Sequence, residues 1–204
     1  MYSTKYVKAS DVDDAVKALK LANDGKFLAG GMTLIPTLKQ RLANPDCLID
    51  LSDCGLSSID NEGIGIRIGA MTRHVDVATS AMVQKVIPAV AYLAAHIGDR
   101  QVRNRGTIGG SLANNDPAAC YPAALLALGG TVHTQSRSIA AEDYFDGMFE
   151  TALEEDEIIR AVSLPKPEKA AYVKFPNPAS RYAMVGAFVA KFADGVRVAV
   201  TGAR

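Results

Sequence analysis

The chain has 204 residues, which leaves one domain or two open and is long enough to bury a sizeable core. Apolar residues make up 49% and charged residues 22%, the composition of an ordinary soluble globular protein. The 22 Lys and Arg cancel the 22 Asp and Glu, which leaves no basic excess for nucleic acid, so a bound anion would have to be held by loops and helix ends.

"TKYVKA" reads as a short first strand, and Ser10 then offers an N-cap, with Asp13 in the first turn. Val12, Ala15, Val16 and Leu19 recur at helical spacing after it. "GKFLAGG" reads as a strand running into glycines. Thr33 can cap a helix "LIPTLKQRLA", in which Pro36 is tolerated in the first turn and which Asn44-Pro45 ends. With "CLIDL" as the next strand, the order is that of a small βαβ unit with parallel strands. "LSSIDNEGIGIRIGAM" predicts a hairpin turning at Asn61-Glu62-Gly63, with Ile64, Ile66 and Ile68 on one face. Residues 72–98 read as helices, the second of them, "KVIPAVAYLAAHIG", apolar on most sides and so buried. "AALLALGGTVHT" predicts a buried helix and a strand. "EIIRAVSLP", "AAYVKFP", and the pair "AMVGAFVAKF" and "VRVAVTG" across Asp194-Gly195 predict one antiparallel sheet. The expected class is α+β, in two lobes: residues 1–55 with parallel strands, and 56–204 mainly antiparallel with helices.

No apolar run reaches the roughly 18 residues of a membrane span, and the N-terminus has no apolar signal core, so the chain reads as cytosolic. Cys47, Cys54 and Cys120 are odd in number and form no CxxC pair, which argues against disulfides, zinc or an iron–sulfur cluster within this chain. His74, His96 and His133 are scattered and show no ligand spacing, so no metal site is expected. No GxSxG is present, and nothing beside Cys120 in sequence would activate it as a nucleophile.

Two stretches of small residues carry chemistry: "FLAGGMTLIP" (Phe27–Pro36) and "GTIGGSLANNDP" (Gly106–Pro117). Each pairs glycines with a threonine, and without a Cβ the backbone N–H groups can approach a ligand closely. Both are read as loops that could hold a pyrophosphate in a neutral protein. Neither fits GxGxxG or GxxxxGKS/T, which disfavours the dinucleotide-binding βαβ fold and the P-loop. Arg100, Arg103 and Arg105 form a basic cluster beside the second stretch, suited to phosphate contact or to docking a partner, or simply solvated.

These motifs together, "LAGGMTLIP…LKQRLANP…LIDL", "IGAMTRH", "IGDRQVRNRGTIGGSLANNDPAACYPAALLAL", "FETALEEDEII" and "KFPNPASRYAMVG", resemble the FAD-binding medium subunit of molybdenum hydroxylases. That family includes carbon monoxide, xanthine and nicotinate dehydrogenase-like enzymes with a two-lobed PCMH-type FAD-binding fold. The resemblance runs from about residue 3 to the end, and family members usually continue past "VAVTGA" into a small C-terminal domain, which this chain is expected to lack.

The resemblance implies FAD between the lobes. Ala29, Gly30, Gly31, Met32 and Thr33 would wrap the pyrophosphate, flanked by Phe27, Leu28 and Leu34. Thr107, Ile108, Gly109, Gly110 and Ser111 would hold the other side of the diphosphate and the ribityl chain. Gly106, Asn114, Asp116 and the Ile97-Gly98 pair would line the cofactor. Ile158 and Ile159 would pack near the adenine or flavin, Lys174 would approach the flavin ring, and Tyr182 would offer it an aromatic face. Two departures stand out: Met32-Thr33 replaces the usual His-Ser, and DPAxDxP becomes "DPAACYP", with Cys120 where an aspartate contacts FAD. The resemblance also implies two partners, a large subunit carrying the molybdenum cofactor and a small subunit with two 2Fe–2S clusters. Electrons would pass from those clusters through FAD to NAD, a quinone or another acceptor. An assembly module that has lost FAD, or a free-standing flavin oxidoreductase, are the alternatives.

Overall fold

A computed structural model describes residues 2–202. Strands β1 (Lys5–Lys8), β2 (Gly25–Leu28) and β3 (Cys47–Asp50) form a parallel sheet in the order β1–β3–β2. Helix α1 (Val12–Lys20) joins the first two strands and α2 (Leu34–Lys39) the second two, as the βαβ pattern predicts. Val12 and Ala15 of α1 pack with Cys47 and Ile49 of β3 into a small core.

The cap of α1 is Asp11 rather than Ser10: its Oδ1 accepts from the Asp14 amide at 2.7 Å, while the Ser10 amide donates to the Asp14 side chain. A carboxylate there also meets the positive end of the helix, which a hydroxyl does less well. Helix α2 is shorter than its sequence suggests, because Arg41 turns left-handed at φ +60° just past its end. Thr33 precedes it without a side-chain capping bond.

The rest of the chain runs through the hairpin β4 (Ile59–Asn61) and β5 (Gly65–Gly69), then α3 (His74–Thr79), α4 (Ala81–Val86), α5 (Pro88–Ala95), α6 (Arg100–Arg105), α7 (Ile108–Asn114) and α8 (Tyr121–Leu128). Strands β6 (Thr131–Thr134) and β7 (Ser138–Ala140), a small hairpin β8 (Phe145–Gly147) and β9 (Glu150–Thr151), and the longer β10 (Ile159–Pro165), β11 (Lys169–Pro176), β12 (Ala183–Phe192) and β13 (Gly195–Thr201) complete it. None of the helices among the described residues is long and apolar enough to cross a membrane.

Three expectations need correction. Ile64 sits in the β4–β5 turn and is exposed, so only Ile66 and Ile68 reach the core. The apolar run 85–98 breaks at Ile87, and Pro88 opens a separate helix where its missing N–H costs nothing. β10 does not join the C-terminal strands: it lies between β5 and β6 in a sheet of order β4–β5–β10–β6–β7, while β11–β12–β13 form their own antiparallel sheet. Alternation marks a strand's two faces but not its neighbours. Helices α5 and α8, apolar almost all round, fill the main core with β5, β10 and β12 residues around them.

Candidate functional site

A cleft of about 610 Å³ opens between the end of β2, the start of α7 and the inner face of β11. That volume suits a cofactor-sized ligand. Its first wall is the loop after β2. Gly31 takes φ +72°, a left-handed conformation that glycine adopts without strain. Gly30 passes so near the C-terminal end of α6 that a Cβ would lie 2.7 Å from the Arg105 carbonyl carbon and 2.8 Å from Gly106 Cα. Two carbonyls of this loop are engaged, since Ile35 donates to Gly31 at 3.0 Å and Thr37 to Thr33 at 3.2 Å. Its amides are not: among the described residues, the N–H groups of Ala29, Gly30, Gly31, Met32, Thr33 and Leu34 have no acceptor. Unpaired amides beside a cleft are open to a ligand or water.

The second glycine stretch is built differently, and the loop expected there is a helix. Thr107 caps α7, its Oγ1 accepting from the Gly110 amide at 3.1 Å. The neighbouring amides are committed too: Ile108 to Thr72 at 3.1 Å, Gly109 to Ala70 at 2.9 Å, and Ser111 to the Thr107 carbonyl at 3.0 Å. Ile108 points into the core. Gly109 is glycine for packing, because a Cβ would lie 2.6 Å from Ala70 Cβ. Gly110 looks across the cleft, where a Cβ would meet Ala29 Cβ at 3.5 Å.

Of the residues singled out from sequence, the structure gathers Phe27, Ala29, Gly30, Gly31, Met32, Thr33 and Leu34 on the first wall. Gly106, Thr107, Gly109, Gly110, Ser111 and Asn114 lie on the second, with Ile97 and Gly98 beyond them. Asp116, Cys120, Ile158, Ile159, Lys174 and Tyr182 close the rest. Leu28 and Ile108 do not line it: Leu28 packs on the Gly31 turn, and Ile108 belongs to the core.

Cys120 is buried at the cleft wall, and the Lys174 ammonium reaches its sulfur at 3.4 Å while also donating to the His96 carbonyl at 2.7 Å. Tyr172 stands on the same side, its hydroxyl buried without a partner. Burial first, then the Cys120 sulfur, holds that phenol above its usual range. The loop carrying Asp116 and Cys120 is pinned from the far end of the chain. Thr201 Oγ1 donates to the carbonyls of Pro117 and Ala119 at 2.9 and 2.6 Å, and the Asp116 side chain accepts from the Ala118 amide at 2.8 Å.

Of the cleft residues that escaped the sequence reading, two buried polar ones stand out. Glu157, whose side chain is 3% exposed, pairs with Arg137 at 2.7 Å and accepts from Ser136, Thr134 and the Glu154 amide. The Arg137 guanidinium first, and the hydroxyl and amide donors with it, bring its carboxyl down to about 2. This knot ties the β6–β7 turn to the segment carrying Ile158, whose amide donates to Gln135 at 2.8 Å. The signal was the acidic run "EEDEII", in which only the last acid precedes an apolar pair. His74 is buried against Gly106, with Nδ1 unpartnered. Burial, then the charge of Arg103, lowers its pKa to about 4, so it is neutral at pH 7. A lone histidine in "MTRH" gave no pattern from which to place it.

Residues 2–167 match the family described as the FAD binding domain in molybdopterin dehydrogenase. The chain is 39% identical to the nicotine 6-hydroxylase medium subunit of Paenarthrobacter nicotinovorans, over 98% of this chain and 74% of that one. It is 38% identical to the carbon monoxide dehydrogenase medium chain of Afipia carboxidovorans, over 92% of this chain and 68% of that one. Among solved structures, a Cu,Mo-CO dehydrogenase in its cyanide-inactivated form matches with TM-score 0.92 and 36% identity, over 98% of this chain and 75% of that one. Quinoline 2-oxidoreductase from Pseudomonas putida 86 matches with TM-score 0.92 and 30% identity, over 98% and 74%.

Proposed function

The chain belongs to the family of FAD-binding domains of molybdopterin dehydrogenases, and we propose that it is the flavin-bearing electron-transfer subunit of such a complex. Its partners would be a large subunit carrying the molybdenum cofactor and a small subunit with two 2Fe–2S clusters. Similarity to proteins named as a hydroxylase medium subunit and a dehydrogenase medium chain supports that assignment. Bound here, FAD would supply the redox chemistry between the small subunit's clusters and NAD, a quinone or another acceptor.

The observation that carries the reading is the row of six amides from Ala29 to Leu34 without acceptors beside a cleft of about 610 Å³. Those amides would hold the pyrophosphate, as neutral donors suffice in a chain whose net charge is zero. Leu51, Leu153, Ile158 and Ile159 give the cleft an apolar wall. Lys174 supplies its positive charge, held in place by the His96 carbonyl and the Cys120 sulfur. The residues fit the cofactor, with one weakness: Cys120 offers a thiol where the family pattern has a carboxylate.

Titrating FAD into the apo-protein tests this. We expect saturable uptake with quenching of flavin fluorescence, and tighter uptake by Cys120→Asp. Absence of uptake by both proteins would overturn the assignment and favour an assembly module that has lost its cofactor.

A further inference from the structure

The contact between Lys174 and Cys120 can do more than position a charge. Lys174 on β11 and Cys120 before α8 are 54 residues apart in the chain, yet the Lys174 Nζ stands 3.4 Å from the Cys120 sulfur. The same Nζ donates to the His96 carbonyl at 2.7 Å, which fixes its place against the sulfur. The thiol is buried in the main core but also lines the cleft, so a small oxidant can reach it from that side. Thiols react in electropositive, partly accessible surroundings and are inert among apolar groups. Cys120 has the Lys174 ammonium on one side and stands at the N-terminal end of α8.

Tyr172 supplies an independent sign. It is 5% exposed, and its hydroxyl has no hydrogen-bond partner. Gly186 leaves room for that hydroxyl, since a Cβ there would lie 2.8 Å from it. The Cys120 sulfur is close enough to help hold the phenol above its usual range. A buried hydroxyl without a partner is costly, and an oxygen added to that sulfur would give it one. No second thiol is at hand to trap the oxidised sulfur, because Cys47 and Cys54 pack in the smaller core with the parallel sheet. The group placed to trap it is the Lys174 amine.

We propose that Cys120 and Lys174 are an oxidation-sensitive pair, joined by a reversible sulfur–nitrogen bond when hydrogen peroxide enters the cleft. In the first step the thiol sulfur attacks peroxide. The O–O bond breaks, an S–O bond forms, and Cys120 becomes a sulfenic acid as one water leaves. Sulfur gives up two electrons and peroxide takes them. In the second step Lys174, having released one proton to solvent, attacks the sulfur. The N–S bond forms, the S–O bond breaks, and the hydroxyl departs with an amine proton as a second water. The product is a sulfenamide, and the cleft has lost one positive charge. Two equivalents of a thiol reductant open it, returning thiol and amine and leaving the reductant as its disulfide. The pair rests on the proposed function only for its consequence, that FAD is held less well once the Lys174 charge is gone.

The test treats the folded chain with hydrogen peroxide, unfolds and digests it without reductant, and weighs the peptides. The expected product is a peptide containing Cys120 joined to one containing Lys174, lighter than the two together by two hydrogens and released by dithiothreitol. Lys174→Arg keeps a positive charge but offers no amine, so its Cys120 should go on to sulfinic acid at the same dose of peroxide. The bridged parent should take up FAD about tenfold more weakly than the untreated parent, and recover after dithiothreitol. The proposal fails if Cys120 is oxidised in the parent without a link to Lys174. It fails too if the lost hydrogens stay within the Cys120 peptide, as in a ring closed on the Tyr121 amide. A linked pair heavier by one oxygen would overturn the direct sulfur–nitrogen bond. Because the masses are read without FAD, these outcomes stand whether or not the cofactor binds.

Discussion

Two glycine pairs of similar composition, Gly30-Gly31 and Gly109-Gly110, face one cleft and do opposite work. After β2 the chain leaves six amides open, and its glycines serve a left-handed turn and a close pass by α6. At α7 the amides are consumed by Thr72, Ala70 and Thr107, and Gly109 lets the helix press against Ala70, just past β5. The first stretch is the one we propose as the binding surface, and the second is a joint. Small residues signal close approach of backbone to something, and only the hydrogen-bond partners tell whether that something is ligand or protein.

The largest effect should come from exchanging the two roles. Gly30→Ala places a methyl against the Arg105 carbonyl, where no flexible side chain can yield. It should cost about 3 kcal/mol of stability and abolish measurable FAD uptake. Gly109→Ala should cost a similar ~3 kcal/mol in thermal unfolding, while FAD affinity of the folded fraction falls far less. Equal loss of affinity in both would erase the distinction drawn here.

A pH series probes the wall that neither stretch builds. The carboxyl of Glu157 is depressed from 4.5 to about 2 by Arg137 and its neighbours, so its contribution is full above pH 4.5 and lost as pH falls toward 2. It amounts to about 3 kcal/mol, and Glu157→Gln should flatten acid unfolding through that window. An unchanged acid limb would mean the ion pair is dispensable.

Smaller effects separate cleft from joint more finely. Gly110→Ala meets only Thr107 Oγ1 at 3.0 Å and Ala29 Cβ at 3.5 Å, so stability should hold while FAD binds about tenfold more weakly. Thr107→Ala removes the cap of α7 and should lower stability by about 1 kcal/mol. Calorimetric unfolding with a parallel FAD titration reads both.

Much of this was legible from the residues. The βαβ order, the β4–β5 turn and the buried helices follow from periodicity and punctuation, and all but two of the residues singled out for the site meet at one cleft. The stretch Thr107–Asn114 was not legible as a helix, because two glycines and a serine hide the spacing of Ile108 and Leu112, the two side chains it buries. Nor could alternation tell that β10 pairs with β5 and β6, since partner choice is settled by distant chain segments. Glu157 and His74 stayed hidden for a related reason. Their burial depends on Arg137 and Gly106, which are distant in sequence.

Amide hydrogen exchange, resolved by residue and measured with and without FAD, tests the central claim most directly. The account predicts that Ala29, Gly30, Gly31, Met32, Thr33 and Leu34 exchange fast in apo-protein and become protected when FAD binds. The amides of Ile108, Gly109 and Ser111 should be slow in both states. Protection gained at Ile108–Ser111 with none at Ala29–Leu34 would contradict it.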